Sequence, residues 1–143
     1  MFYKHQSPED RLAVWRAIRH KEHSSIEEVL SEFSSIVPIP RYIDYYTPKN
    51  WPNVFEIVRE GYFCQSGITL IIAATLVNKK FITDDVLQFD VISNHINGND
   101  GLVLVNNGYA YNFLPGKQIT VEDAKNDSTK FGSHQVPVDQ LFR

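Results

Sequence analysis

The sequence predicts an α+β protein, in which N-terminal helices and a buried central helix pack on a small antiparallel sheet. In the first part of the chain, apolar residues recur at helical spacing, and in the later part they alternate with a period of two. Helices followed by a run of strands are typical of the α+β class. At 143 residues the chain has the size of one domain, so we expect residues 1–143 to fold as a single domain.

Composition and charge narrow the class of protein. Hydrophobic residues make up 43% of the chain and charged residues 22%, as in soluble globular proteins. The net charge is −3 and basic residues are scattered, which argues against a nucleic-acid partner. The longest apolar run, residues 68–77, is about half the length of a membrane span. With a single cysteine and no signal-peptide pattern at the N-terminus, we expect a cytoplasmic protein without a membrane partner.

Two helices are predicted at the N-terminal end. Ser7 and Pro8, followed by two acidic residues, form a helix start, and this helix is expected to run to about His23. Ser24 or Ser25 is expected to cap a second helix. The apolar residues of the second helix fall on one face, which comprises Ile26, Val29, Leu30 and Phe33.

The next segment, VPIPRYIDYYTPKNWPN, carries four prolines and several aromatic residues. Proline fixes φ and removes a backbone donor, so the segment is expected to be extended and irregular. Its rings favour packing across the rest of the protein, although a tyrosine-rich surface also suits contacts with a partner. A short helix is then predicted in NWPNVFEIVREG, ending at Gly61.

The central helix is predicted to span residues 63 to 78, because its sequence is apolar on all sides beyond the first turn. Strands follow in VLQFDVIS, GLVLV and YAYNF, and NNG between the last two predicts a primed hairpin turn. Pro115 and Gly116 predict a turn, and Thr120 is expected to cap a short helix, VEDAKN. The polar stretch DSTKFGSHQ is expected to connect this helix to an edge strand in VPVDQLF.

The candidate functional residues centre on Cys64, which lies at the start of the central helix. A cysteine attacks as the thiolate, and a helix N-terminus or a nearby imidazolium favours that form. His95, at the end of a predicted strand, is the candidate base, and Asn112, on the last strand of the hairpin, is the candidate that orients the imidazole. In the alternative interpretation all three residues are structural. Cys64 is then a small buried apolar residue, His95 belongs to a turn, and the Asn112 side chain forms a hydrogen bond between strand ends.

The run from GYFCQSG through NHINGNDGLVLVNNGYAYNF resembles the core of transglutaminase-like and papain-like cysteine enzymes, over roughly residues 61–113. In those families a cysteine opens a buried helix, a histidine begins or sits on a strand, and Asp or Asn ends the next strand. The resemblance implies that Cys64 is the nucleophile, His95 the base and Asn112 the orienting residue. The implied activity is acyl transfer, or hydrolysis of an amide or thioester. Because INGND separates His95 from the following strand, a retained fold without activity stays open.

Trp51, Tyr62 and Gln65 are expected to line a substrate groove, with residues 42–51 forming one wall, and the expected partner is a protein or peptide. The alternative function is a small non-catalytic accessory or regulatory protein, a class that includes phage-encoded proteins. His95, Asp100 and His134 lack the spacing of a metal motif, so no metal site and no cofactor are predicted. The oligomeric state is left open.

Overall fold

A computed structural model describes residues 1–3, 5–40 and 43–143 of the protein. The α+β prediction is confirmed. In these ranges the helices and strands follow the order α1 (Pro8–His20), α2 (Ile26–Ser31), α3 (Val54–Glu60), α4 (Gln65–Asn78), β1 (Val86–Asn94), β2 (Asp100–Asn106), β3 (Tyr109–Tyr111), β4 (Gln118–Thr120), α5 (Val121–Asn126) and β5 (Ser128–Pro137). Short 3₁₀ helices lie at Pro48–Asn50 and Val138–Leu141.

The first two helices begin where the capping residues predict. Ser7 Oγ accepts the backbone N–H of Asp10 at 3.1 Å, and the Asp10 carboxylate in turn accepts the N–H of Ser7. Ser25 Oγ caps α2 by accepting the backbone N–H of Glu28. Helix α1 ends at His20 rather than at the predicted His23, because Lys21 adopts an extended conformation.

Helix α4 is the centre of the molecule, as its apolar sequence predicts. Every residue from Ser66 to Leu76 is buried. The hydroxyls of the two threonines in this span, Thr69 and Thr75, both form hydrogen bonds. Thr75 Oγ1, for example, accepts the indole N–H of Trp15 at 3.0 Å. Helices α1 and α3 pack on each other and α2, α3 and β2 pack against α4, so the first turn of α4 lies between the helices and the sheet.

The sheet has the order β4-β3-β2-β1-β5 with antiparallel neighbours, and it buries residues on both faces. Leu87, Phe89 and Val91 join the main core around α4. On the opposite face, a smaller cluster that contains Ile92 and Val103 packs under α5. The predicted primed turn between β2 and β3 is present, since Asn107 and Gly108 both have positive φ, at 54° and 83°.

The prediction for the C-terminal end is wrong. The polar stretch predicted as a connection is the edge strand β5, which pairs with β1 along nearly its whole length. Most of the segment predicted as a strand, VPVDQLF, is the 3₁₀ helix Val138–Leu141. The reason is that β1 supplies a long row of backbone partners, and a half-exposed edge strand needs no apolar pattern to use them. A bulge interrupts the pairing, so that Val91 faces Gly132 and Ile92 faces Lys130.

The proline-rich segment packs across the molecule, as expected. We call residues 36–40 the strap; within it, the Ile39 N–H donates to the Phe63 carbonyl at 3.1 Å. Further along, the Trp51 indole donates to the Asp44 carbonyl at 2.8 Å and lies edge-on to Phe89. Arg41 and Tyr42 lie outside the described residues. In the part of the chain that is described, no helix is long and apolar enough to cross a membrane.

Candidate functional site

Local backbone geometry places Cys64 at the tip of α4. Gly61 ends α3 in the left-handed region, with φ of 72°, and turns the chain back towards the core. Cys64 then adopts the extended conformation of a helix N-cap, with φ of −71° and ψ of 169°. The turn is so tight that a Cβ at Gly67 would overlap the Tyr62 carbonyl oxygen, so only glycine fits there.

The thiol of Cys64 acts as the helix cap. Its Sγ accepts the backbone N–H of Gly67 at 3.4 Å, and the residue is only 1% exposed. The position at the helix N-terminus agrees with the expectation from sequence. The thiol is buried, and the Gly67 N–H that it accepts is one of the helix amides that would also stabilise a thiolate.

The side chain of Gln65, the next residue, is bound to the backbone of β2. Its Nε2 donates to the Leu102 carbonyl at 2.7 Å, and its Oε1 accepts the Leu102 N–H at 3.0 Å. Strand β3 pairs with β2 only from Leu104 onwards, so Leu102 has no strand partner on that side among the described residues. The Gln65 amide takes the place of the missing strand.

Gly101 makes this arrangement sterically feasible. It lies beside the Gln65 side chain, and a Cβ at this position would overlap Gln65 Oε1. Gly101 and Gln65 therefore fill the space between the start of β2 and the tip of α4. A side chain on β2 at this position could reach the tip only if the Gln65 amide moved away.

Asn112 lies just after β3 and faces the first turn of α4. Its φ of 68° is in the left-handed region, which asparagine tolerates better than most residues, and there the chain leaves the sheet. Its Nδ2 donates to Thr69 Oγ1 at 2.8 Å and to the Gln65 carbonyl at 3.2 Å. At the neighbouring Tyr111, burial and then the nearby Tyr109 raise the pKa of the phenol.

His95 lies elsewhere, at the corner where β1 meets β5. Its backbone N–H donates to the Asp127 carbonyl at 2.8 Å, and its ring Nε2 lies 2.8 Å from Thr129 Oγ1. The side chain is exposed. The structure thus brings Cys64 and Asn112 to the same end of α4, whereas the imidazole of His95 contacts the edge strand.

A cavity of about 570 Å³, here called the tip cavity, opens at the tip of α4. Apolar residues from the strap, α4 and the smaller core cluster form part of its lining. Its polar lining residues are Cys64, Gln65, Ser66, Asn94, Asn97, Asn99, Asp100 and Asn112. Of the three residues expected to line a substrate groove, Gln65 does so, whereas Trp51 packs against Phe89 and His134. Tyr62 contributes its carbonyl to the tight turn at Gly67 instead.

Asp100 is the only charged residue in the described lining of the tip cavity. It lies at the start of β2 and is exposed to solvent. Over the described ranges, no group of three or more His, Cys, Asp or Glu side chains is arranged to hold a metal ion. The chemistry of the cavity is therefore that of amides, hydroxyls, one thiol and one carboxylate, set among apolar side chains.

Sequence reasoning missed three residues of this site: Ser66, Thr69 and Gly101. Ser66 Oγ accepts the Leu102 N–H at 3.3 Å, and Thr69 Oγ1 lies 2.8 Å from the Leu102 carbonyl. The two hydroxyls at the start of an otherwise apolar helix were a signal for a polar contact there. Gly101 gave no such signal, because NDG is also typical of an ordinary turn.

Comparison with known proteins identifies fold neighbours. The calcium-bound structure of Legionella pneumophila LapG matches with a TM-score of 0.67 and 16% identity, over 96% of this chain and 82% of that chain. A second LapG structure matches with a TM-score of 0.65 and 15% identity, over 91% and 79% of the two chains. The chain shares the fold of LapG.

No family model matches the chain. No curated protein matches it either. At 16% identity the likeness to LapG establishes the fold alone.

Proposed function

We propose that this protein is a peptide-binding domain that uses the fold of a transglutaminase-like cysteine protease without catalysing a reaction. The observation that carries the proposal is the Gln65 amide, which occupies the space beside Gly101 and binds both backbone groups of Leu102. A Cβ at Gly101 would overlap this amide, so an imidazole at that position of β2 is excluded while the amide stays in place. In the described lining of the tip cavity there is no imidazole.

The environment of the thiol supports the same conclusion. A nucleophilic thiol needs a base within hydrogen-bond reach and access for the substrate. Cys64 is 1% exposed and caps α4, and the nearest predicted base, His95, places its ring Nε2 against Thr129. The burial of the thiol, and the contact of the His95 ring with Thr129, support a structural role for Cys64.

The shape and chemistry of the tip cavity suit a peptide. Its volume of about 570 Å³ lies within the range of ligand pockets. Apolar side chains provide contact area, and the amides of Asn97 and Asn99 on the loop before β2 provide groups that both donate and accept hydrogen bonds. An extended peptide segment offers apolar side chains together with backbone N–H and carbonyl groups, which match this lining.

Selection from a phage-displayed library of random twelve-residue peptides tests the proposal. We expect the native chain to enrich a set of peptides whose synthetic versions bind with measurable affinity. Asn99→Trp, which places a large ring at the exposed edge of the cavity, should abolish that binding. Asn126→Trp, on the exposed side of α5, is the matched control and should leave it intact. Failure to enrich any peptide, or equal binding by both variants, would contradict the proposal.

A second candidate is a thiol enzyme in which Cys64 is the nucleophile, His95 the base and Asn112 the orienting residue. The observation that favours it is the position of a thiol at the N-cap of the buried helix, in a chain that shares the fold of LapG. Iodoacetamide labelling at pH 7 separates the two functions. If native Cys64 reacts faster than an ordinary exposed thiol, and His95→Ala removes the excess rate, the enzyme is supported and the non-catalytic proposal fails.

A further inference from the structure

The charges around the tip cavity are unbalanced. Asp100 is exposed at its mouth, and none of the described lining residues is a lysine, arginine or histidine. No described side chain donates a hydrogen bond to the Asp100 carboxylate, and no described cation forms an ion pair with it. A carboxylate only accepts hydrogen bonds when it is ionised. In the described lining, therefore, no cation compensates the negative charge of the Asp100 carboxylate.

The strap adds to this excess of acceptors. Pro38 and Pro40 have no backbone N–H, and the N–H of Ile39 between them is already bound to the Phe63 carbonyl. Residues 38–40, all of which line the cavity, therefore offer carbonyl oxygens and apolar surface but no free backbone donor. Ile39 is 42% exposed and Val37 84% exposed, so the strap also presents apolar side chains next to the cavity.

A ligand that complements this surface brings hydrogen-bond donors, positive charge and apolar side chains. An extended peptide with a basic residue supplies all three. Its backbone N–H groups can bind carbonyl oxygens, its apolar side chains can pack on the strap, and its ammonium or guanidinium group can bind the carboxylate. An acidic peptide would bring a second negative charge next to Asp100 and meet no compensating cation in the described lining.

We propose that the tip cavity selects peptides that carry a lysine or arginine, and that Asp100 binds this side chain as an ion pair. The inference rests on the proposed peptide-binding function and specifies the ligand that the cavity takes. Because Asp100 is exposed, the ion pair contributes selectivity rather than most of the affinity, and increasing salt should weaken it.

The test repeats the phage-display selection on three forms of the full chain: native, Asp100→Asn and Asp85→Asn. Asp85 is an exposed acid that does not line the cavity, so its substitution makes the same change in net charge elsewhere. We expect lysine or arginine to be enriched at one peptide position on the native chain and on Asp85→Asn, and this preference to disappear on Asp100→Asn.

Affinity measurements on the best synthetic peptide complete the test. Asp100→Asn should weaken binding about two- to fivefold, as an exposed ion pair allows. Replacing the basic residue of the peptide by norleucine or citrulline should cause a similar loss, and combining the two changes should cause little further loss. Enriched peptides without a basic preference, with affinities that Asp100→Asn leaves unchanged, would overturn this inference alone. If no peptide is enriched, or if Asn99→Trp does not block binding, the proposed function fails as well.

Discussion

The tip of α4 contains two members of the predicted catalytic group and the corner between β1 and β5 contains the third, but the two regions hold their side chains differently. At the tip, Cys64 is enclosed and Asn112 makes two hydrogen bonds to α4. At the corner, His95 is exposed and its ring contacts one hydroxyl. Buried polar groups must be paired, so the tip has a defined structural role, whereas the corner is under little such constraint. Substitutions should therefore be costly at the tip and tolerated at the corner.

The largest effect is expected for Gly67→Ala. The new methyl group would overlap the backbone carbonyl of Tyr62, which cannot move without opening the turn before Cys64. We expect the free energy of unfolding to fall by about 3 kcal/mol, measured by urea denaturation. Gly132→Ala on β5 is the control. Apart from Gly132 itself and its two chain neighbours, no atom of the described residues lies within 4 Å of the place where the methyl group would stand, so stability should change by less than about 0.5 kcal/mol. Similar losses in both variants would mean that the tip is not especially constrained.

The next effect concerns the coupling of Gly101 to Gln65. Gly101→Ala should displace the Gln65 amide and break both of its hydrogen bonds to Leu102, whose backbone would keep only the Ser66 and Thr69 hydroxyls as partners there, at a cost of about 2 kcal/mol. In a Gln65→Ala background the same substitution should cost much less, because the side chain it collides with is gone. A double-mutant cycle measures this difference. Simple additivity of the two substitutions would show that the amide does not fill the space beside Gly101.

A smaller effect is expected when the helix cap is removed. Cys64→Ala deletes the atom that accepts the Gly67 N–H and should destabilise the protein by about 1 kcal/mol. Cys64→Ser retains a capping oxygen and should lose less. Thermal unfolding of both variants gives the comparison. Equal loss in the two would indicate that Cys64 matters for packing rather than for capping.

The smallest effect is expected for His95→Ala. The ring is exposed and its one hydrogen bond is to Thr129, so stability should change by no more than about 0.5 kcal/mol. The rate at which iodoacetamide labels native Cys64 should also be unchanged. Thr129→Val, which removes the partner hydroxyl, is the matched control. If His95→Ala markedly lowers the labelling rate of Cys64 and Thr129→Val does not, the imidazole acts on the thiol, and the thiol enzyme is supported.

The sequence predicted those elements whose signals are local. The caps at Ser7 and Ser25, the primed turn at Asn107 and Gly108, and the burial of α4 follow from a few neighbouring residues each. Strand β5 escaped prediction because its polar residues become a strand only by pairing with β1. The residues of the candidate site also differ in whether local sequence predicts their positions. The position of Cys64 at the start of α4 was predictable, whereas the direction of the His95 side chain was not.

By itself the sequence determined the order of the elements, the buried helix and the placement of a thiol at its start, because capping, periodicity and burial are set by residues close together in the chain. Only the tertiary structure decided which polar groups meet at that start. Asn112 reaches α4 because the chain leaves the sheet in a left-handed conformation, and Gln65 reaches Leu102 because β3 is too short to pair with it. His95 lies against Thr129 because β5 pairs with the end of β1. Such contacts join residues far apart in the chain, and strand register, rather than local sequence, sets them.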